Sequence, residues 1–308
     1  MKKVIALIVV MSLVVMALFL LQKPTEKKSS QITVAVSTFA LYDIVKHIGG
    51  ENVRVEMVIP FGVEVHSFEP TPKTIMKIQK SDRFFYSGAN LEPWVKKLAQ
   101  SKNMRDMSHH VKLIEVGEHE HEHEHVEGEH HHELYDPHYW LSISNMQKLN
   151  IEITSELMTL DPKHKDVYLK NSEKYLDKLT KLQRLFAQKL QDCKVREVVM
   201  HHNTLAYVAS TYNFEVLSLT GLSPDALADA KTMTILSDRI KKQGISTIFF
   251  EAFVSDKMMQ NLAKENGVHL DYIEPLANIT ATQADANMSY VQGMQSNLIK
   301  LSEAMQCR

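Results

Sequence analysis

From Asp161-Pro162 to about Gln191 the chain runs without a glycine, with Pro162 standing at a natural first helical position. Apolar residues at Val167, Leu169, Tyr175, Leu176, Leu179, Leu182, Leu185, Phe186 and Leu190 mostly recur every three to four positions, and lysines and acids fill the rest. That pattern predicts one amphipathic helix of roughly thirty residues, about 45 Å long. Its heptads are too irregular for a coiled coil. The segment divides the chain into two halves of the same design.

In the first half, short apolar runs at Ile32 to Ser37, Arg54 to Pro60, Arg83 to Gly88 and Lys112 to Val116 read as strands. Helical segments lie between them at Ala40 to Ile48, Thr71 to Lys80 and Leu91 to Ser101. The second half has strands at Glu197 to His201, Phe214 to Leu219, Thr247 to Phe253 and Leu270 to Ile273. Its helices run over Thr204 to Thr211, Ala226 to Gln243 and Asp256 to Asn266. Strands that alternate with helices imply parallel βαβ units. The expected fold is therefore α/β: two lobes with parallel sheets, joined by one long bridging helix, with a ligand cleft between them.

The N-terminus places Met1-Lys2-Lys3 before an apolar run from Val4 to Leu21, the pattern of an export signal. The run also reaches the lower limit of about eighteen residues for crossing a bilayer, so an uncleaved anchor is the second reading. Gln22 to Gln31 is a polar tether. The expected organisation is a signal or anchor with tether over 1–30, a first lobe over 31–160, the linking helix over 161–192 and a second lobe over 193–308. The folded part is then expected outside the cytoplasm, in the periplasm, free or tethered. In such a compartment the only two cysteines, Cys193 and Cys307, are candidates for one disulfide, provided the fold brings them together. A formal net charge of −2 gives no basic surface for nucleic acid.

Sixteen histidines are the compositional outlier. Seven of them, His119, His121, His123, His125, His130, His131 and His132, lie in the tract EHEHEHEHVEGEHHHE from Glu118 to Glu133. With almost nothing apolar to bury, the tract is expected to be a loop rather than part of a core. Imidazoles interleaved with glutamates attract zinc and neighbouring divalent cations. Ordering such a loop costs entropy at every residue, so it is suited to gathering metal weakly and not to a fixed site.

A fixed zinc site needs three or four converging N or O donors. His66 lies in GVEVHSFEPTP after the second strand, His138 in DPHYW after the tract, and His202 at the end of the strand opening the second half. Ligands in parallel α/β sheets gather beyond the carboxyl ends of strands, which makes all three candidates, with Glu274 at the end of the last strand a possible oxygen donor. Strand alternation should turn adjacent His201 away from the cleft if His202 faces it. His109, His110, His164 and His269 read as ordinary surface or hydrogen-bonded residues.

The phrases around those histidines resemble the ZnuA-like, zinc-specific solute-binding proteins of ABC transporters, which belong to a cluster that also holds manganese-binding lipoproteins. The resemblance covers Ile32 to the C-terminus. It rests on "GVEVHSFEPTP", "GANLEPWVKKL", "DPHYWLSISN", "HHNTLAYVASTY" aligned with His202 as ligand, and "GISTIFFEAFVSDKMMQNLAKENGV" followed by "IEPL". It implies His66, His138 and His202 as ligands of a transported Zn2+. Glu274, where the family usually carries Asp, or a water would be the fourth ligand. Histidine at the third position and a His-rich loop go with zinc-type members, where manganese-type members tend to have a carboxylate. The implied partner is the membrane permease of a zinc ABC transporter, and the chain is expected to be a monomer with no catalytic role. A manganese-binding protein, a metal-dependent adhesin and, further off, a zinc hydrolase are the alternatives. No HExxH helix is present, and the sequence gives no obvious general base beside the three histidines.

Overall fold

The computed structural model describes residues 31–98, 102–116, 135–226, 229–253 and 257–308; the leader over 1–30 and the histidine tract over 118–133 lie outside the described residues. The first half carries strands β1 (Ile32–Val36), β2 (Val53–Met57), β3 (Arg83–Tyr86) and β4 (Met104–Asp106), with helices α1 (Phe39–Gly49) and α2 (Pro72–Lys80) between them. Helix α3 (Ile143–Leu160) and the long α4 (Lys165–Lys189) follow. The second half carries β5 (Glu197–His202), α5 (Ala206–Tyr212), β6 (Glu215–Thr220), α6 (Ala230–Gln243), β7 (Thr247–Glu251), α7 (Lys257–Asn266) and β8 (His269–Ile273). Helices α8 (Ala281–Asp285) and α9 (Tyr290–Ala304) close the chain.

Both sheets are parallel throughout and share one winding, β2-β1-β3-β4 and β6-β5-β7-β8. The inner strands are buried on both faces, which is why they read as continuous apolar runs: Val34, Ala35, Val36, Phe84 and Phe85 in one sheet, Val198, Val199, Met200, Ile248 and Phe249 in the other. In each sheet the winding reverses between the first and third strands, β1 and β3 or β5 and β7. The crevice outside the carboxyl ends of such a pair is where open α/β sheets bind ligands.

The structure departs from the sequence expectations at four places. The fourth strand is Met104–Asp106 and not Lys112 to Val116; Glu115 makes only an isolated antiparallel bridge to Tyr135, while Val111, Leu113 and Ile114 pack onto the core. Among the described residues of the expected Leu91 to Ser101 helix there is no α-helix, only a 3-10 turn at Pro93–Lys97. There the Glu92 carboxylate accepts the backbone N–H of Ser87 and of Gly88, each at 3.0 Å, across a turn in which Gly88, Ala89 and Asn90 all take positive φ. Helix α3 is an addition, burying Ile143, Met146, Leu149, Ile153 and Leu157 at helical spacing. So is α9, which opens with a capping box on Ser289 and Gln292.

The linking helix exists but is 25 residues long, preceded by a 3-10 turn at Pro162–His164, so it spans roughly 37 Å. Its buried face is Tyr168, Ser172, Tyr175, Leu179, Leu182 and Phe186, whereas Val167 and Leu169 point outward. Tyr175 Oη donates to Asp43 Oδ2 of α1 at 2.7 Å, and Asn150 Nδ2 of α3 donates to Ser172 Oγ at 2.7 Å. One hydrophobic core runs through both halves, from Val34 and Phe85 through Trp140 and Phe186 to Val198, Leu276 and Leu301.

The segment from Pro275 to Ile279 sews the halves together at the level of the strand ends. Trp140 Nε1 donates to Pro275 O at 2.9 Å, Phe39 N to Ala277 O at 2.7 Å, and Asn278 Nδ2 to Pro60 O and Val63 O at 2.8 Å. Cys193 and Cys307 are joined in a disulfide that ties the entrance of the second half to its last residues.

Candidate metal centre

The three histidines arrive from different elements and converge. His66 sits in the loop after β2, His138 caps a 3-10 turn at Tyr139–Leu141, and His202 is the last residue of β5. Their ring centroids are 5.3 Å (His66–His138), 5.7 Å (His66–His202) and 5.3 Å (His138–His202) apart, and one ligand nitrogen from each lies within 4.8 Å of the others. His66 Nε2 and His138 Nε2 are 3.3 Å apart. Two nitrogens bound tetrahedrally to one zinc at about 2.0–2.1 Å stand roughly 3.3–3.4 Å apart, so this pair already has the separation that zinc requires.

Two carboxylates set which nitrogen is free in two of the rings. Asp136 Oδ1 accepts from the backbone N–H of His138 and lies 2.8 Å from His138 Nδ1. Glu251 Oε2, at the end of β7, lies 3.0 Å from His202 Nδ1, and its Oε1 accepts from Thr204 Oγ1 at 3.3 Å. A proton held on Nδ1 by a carboxylate leaves Nε2 with its lone pair, the orientation that metal-bound histidines adopt. His202 Nε2 is buried and has no hydrogen-bond partner. A buried polar atom costs free energy unless something binds it, and the other two imidazoles mark where that something belongs.

Burial also sets protonation. The His66 imidazole is pushed down to about 2, first by desolvation and then by its neighbours His138 and His202. At His66 a proton therefore competes with a metal ion only well below the pH at which a solvent-exposed imidazole titrates. Val63, Val65, Phe253, Pro275 and Ala277 wall the space around the three rings.

Glu274 does not join them. It is absent from the residues that wall this space; its carboxyl, pushed up by burial, is held at Oε1 by the Tyr272 hydroxyl and by Gln283 Nε2 at 2.6 Å, while Oε2 is buried without a hydrogen-bond partner. Its backbone N–H and C=O both pair with the Asn297 side chain, which fixes the residue toward α9 and away from the histidines. His201 is not among the residues that wall this space, as strand alternation suggested, and it is buried, 2 % exposed with Glu251 beside it. The tract histidines 119, 121, 123, 125, 130, 131 and 132 lie outside the described residues.

Asp136 and Glu251 are not among the residues that the sequence reading singles out. Asp136 had a local signal, since it stands two residues before His138. Glu251 had none, because only the pairing of β7 with β5 brings it to His202.

The family profile described as zinc-uptake complex component A, periplasmic (ZnuA), matches residues 34–304. The zinc-binding lipoprotein AdcA of Streptococcus pneumoniae R6 is 32 % identical over 293 residues, covering 93 % of this chain and 58 % of AdcA, so the chain spans little more than half the length of that relative. The high-affinity zinc uptake system protein ZnuA of Bacillus subtilis 168 is 31 % identical over 285 residues, covering 91 % of this chain and 89 % of that protein. Among solved structures, the Zn(II)-bound ZnuA-like domain of S. pneumoniae AdcA superposes with a TM-score of 0.75 at 30 % identity, covering 90 % of this chain and 99 % of that one.

Proposed function

Because the chain belongs to the ZnuA family of zinc-uptake components, we propose that it captures Zn2+ outside the cytoplasm through His66, His138 and His202 and delivers it to the permease of an ABC transporter. The observation that carries this reading is the convergence of three imidazoles, two with Nδ1 held by a carboxylate and one of these with Nε2 buried and unpartnered. Three nitrogen donors favour zinc over the oxygen-preferring manganese. Zinc is cargo here, and a water or other small ligand completes a tetrahedron.

The ligands divide between the halves: His66 and His138 come from the first, His202 and its partner Glu251 from the second. Since both halves share one core and are sewn together behind the site, binding is expected to tighten the ligand loops without swinging two domains. The loop that carries His66 is then the element most free to respond to metal, and the face around it the surface a permease would read. The tract from Glu118 to Glu133 is assigned the weaker, collecting role.

Zinc titration calorimetry on the metal-free protein and on His66→Ala, His138→Ala and His202→Ala tests the assignment. Fixed zinc sites bind with apparent free energies of about 10–16 kcal/mol, so each of four ligands accounts for roughly 2.5–4 kcal/mol. Each variant should lose roughly a hundredfold or more in the tight site. A His202→Ala variant with unchanged tight binding would show that the centre lies elsewhere.

A further inference from the structure

Behind the three-histidine centre lies a second group of donors that shares one residue with it. His201, His202 and Glu251 are 2 %, 3 % and 1 % exposed, and one ligand atom from each lies within 4.8 Å of the others. His201 Nδ1 is buried with no hydrogen-bond partner, a second orphaned imidazole nitrogen one residue from the first. We propose that His201, Glu251 and Nδ1 of His202 form a second zinc position adjoining the principal centre, occupied in alternation with it. The proposal rests on the zinc-capture reading of the site.

The donor set suits the metal: two imidazoles and a carboxylate are ordinary zinc ligands, with the fourth place left for water. The separation suits it too. Glu251 Oε2 and His202 Nδ1 stand 3.0 Å apart, close to the roughly 3.3 Å expected for two donors on one tetrahedral zinc, so an ion can take the place of the proton they now share. The end of β6 lies beside the group: the His201 backbone oxygen accepts from Thr220 Oγ1 at 3.2 Å, and the exposed Asp225 is close enough to act on the His201 ring electrostatically.

Sharing His202 makes the two positions exclusive. In the principal centre His202 binds through Nε2 and carries its proton on Nδ1, toward Glu251. In the second position the bond to zinc is at Nδ1 and the proton is on Nε2. Exchange between them breaks one nitrogen–zinc bond, forms another on the same ring and moves one proton from Nδ1 to Nε2, so the proton count is unchanged. Filling both at once would strip the ring of its last proton, which a neutral imidazole resists. An ion leaving the principal centre therefore has a neighbouring place to go, on the side away from His66 and His138.

The test compares four forms of the full chain, stripped of metal and titrated calorimetrically with Zn2+ at pH 7: unaltered, His201→Gln, His66→Gln/His138→Gln, and that pair with His201→Gln added. The pair should keep one site, tenfold or more weaker than the tight site of the unaltered chain, and the added His201→Gln should abolish it. Binding by the histidine tract is common to all four and cancels in the comparison. His201→Gln alone should leave the tight site within about threefold of the unaltered value.

Identical isotherms for the double and triple variants would overturn the second position while leaving zinc capture standing. Loss of the tight site in His201→Gln alone would also overturn it, by making His201 a member of the principal centre. Absence of any tight site in the unaltered chain would instead overturn the zinc-capture reading itself. Should the glutamine pair melt below the working temperature, His66→Ala/His138→Ala serves as the background for the same comparison.

Discussion

Replacing Asp136 by Asn removes a charge that touches no metal, yet the geometry ties it to zinc affinity. Asp136 is 1 % exposed, and its Oδ1 is shared between the backbone N–H and Nδ1 of His138, both at 2.8 Å. No water can take over that role. The asparagine amide has two ways to sit. With its oxygen in the place of Oδ1, the His138 tautomer survives but the negative charge that strengthens the ligand is gone. With its NH2 there, the amide donates to Nδ1, the His138 proton moves to Nε2 and the lone pair meant for zinc is blocked.

In both orientations a donor is left without an acceptor: the NH2 in the first, since Oδ2 has no partner even in the unaltered protein, and the His138 backbone N–H in the second. Loss of such an orienting partner typically weakens metal binding ten- to a hundredfold, or about 1.4–2.8 kcal/mol. The first orientation should fall near the lower figure and the second near the upper. The backbone here is anchored independently, since Tyr207 Oη donates to Asp136 O at 2.7 Å, so the fold should survive. Competition for Zn2+ against a chromophoric chelator at pH 7, with a melt of the metal-free protein as the control, reads the effect. An affinity within twofold of the unaltered protein, with an unchanged melt, would refute the view that Asp136 fixes the His138 tautomer.

Three further outcomes follow from other parts of the structure. Deleting residues 118–133 should remove weak zinc sites from a calorimetric titration and spare the tight one; loss of the tight site would show that the tract contributes a fixed ligand. The Cys193–Cys307 bridge closes a separation of 114 residues, so a Cys193→Ser/Cys307→Ser variant should lose on the order of 2–5 kcal/mol in denaturant unfolding, and no loss would mean the bridge constrains nothing. Glu92 has its carboxyl pushed up from 4.5 to about 7, chiefly by burial.

Between those two values the folded state holds a proton that the unfolded state has released, so this group's contribution to stability falls as pH rises through the window. Glu92→Gln, which imitates the protonated form, should therefore gain on the unaltered protein by on the order of 2–3 kcal/mol between pH 4.5 and 8. A difference that stays constant with pH, measured by urea unfolding, would contradict that assignment.

The inner strands were legible in the sequence because burial on both faces writes them as continuous apolar runs, and His202 was legible because such a run ends on it. His66 and His138 were placed less by pattern than by the phrases around them, since each stands in irregular backbone with no period to read. The edge strand Met104–Asp106 was not legible: three residues with two charges carry no strand signal, whereas the apolar Val111, Leu113 and Ile114 do and yet serve as core packing. The direction of the Glu274 side chain was not legible for a related reason. A strand end points to a crevice in general, but which way the carboxylate turns depends on Asn297 and Gln283, which come from elements that follow it. The roles of Asp136 and Glu251 are properties of the folded site and become visible only when His138 and His202 are in place beside them.

The central claim is that zinc sits among His66, His138 and His202. A crystal of the one-to-one zinc complex, with anomalous diffraction recorded on both sides of the zinc edge, locates the ion without reference to any assumption about its ligands. A single strong peak is expected, with the three Nε2 atoms at about 2.0–2.1 Å and one further light atom completing a tetrahedron. A principal peak bound by Glu274, or one held by the tract with the three imidazoles left bare, would contradict it.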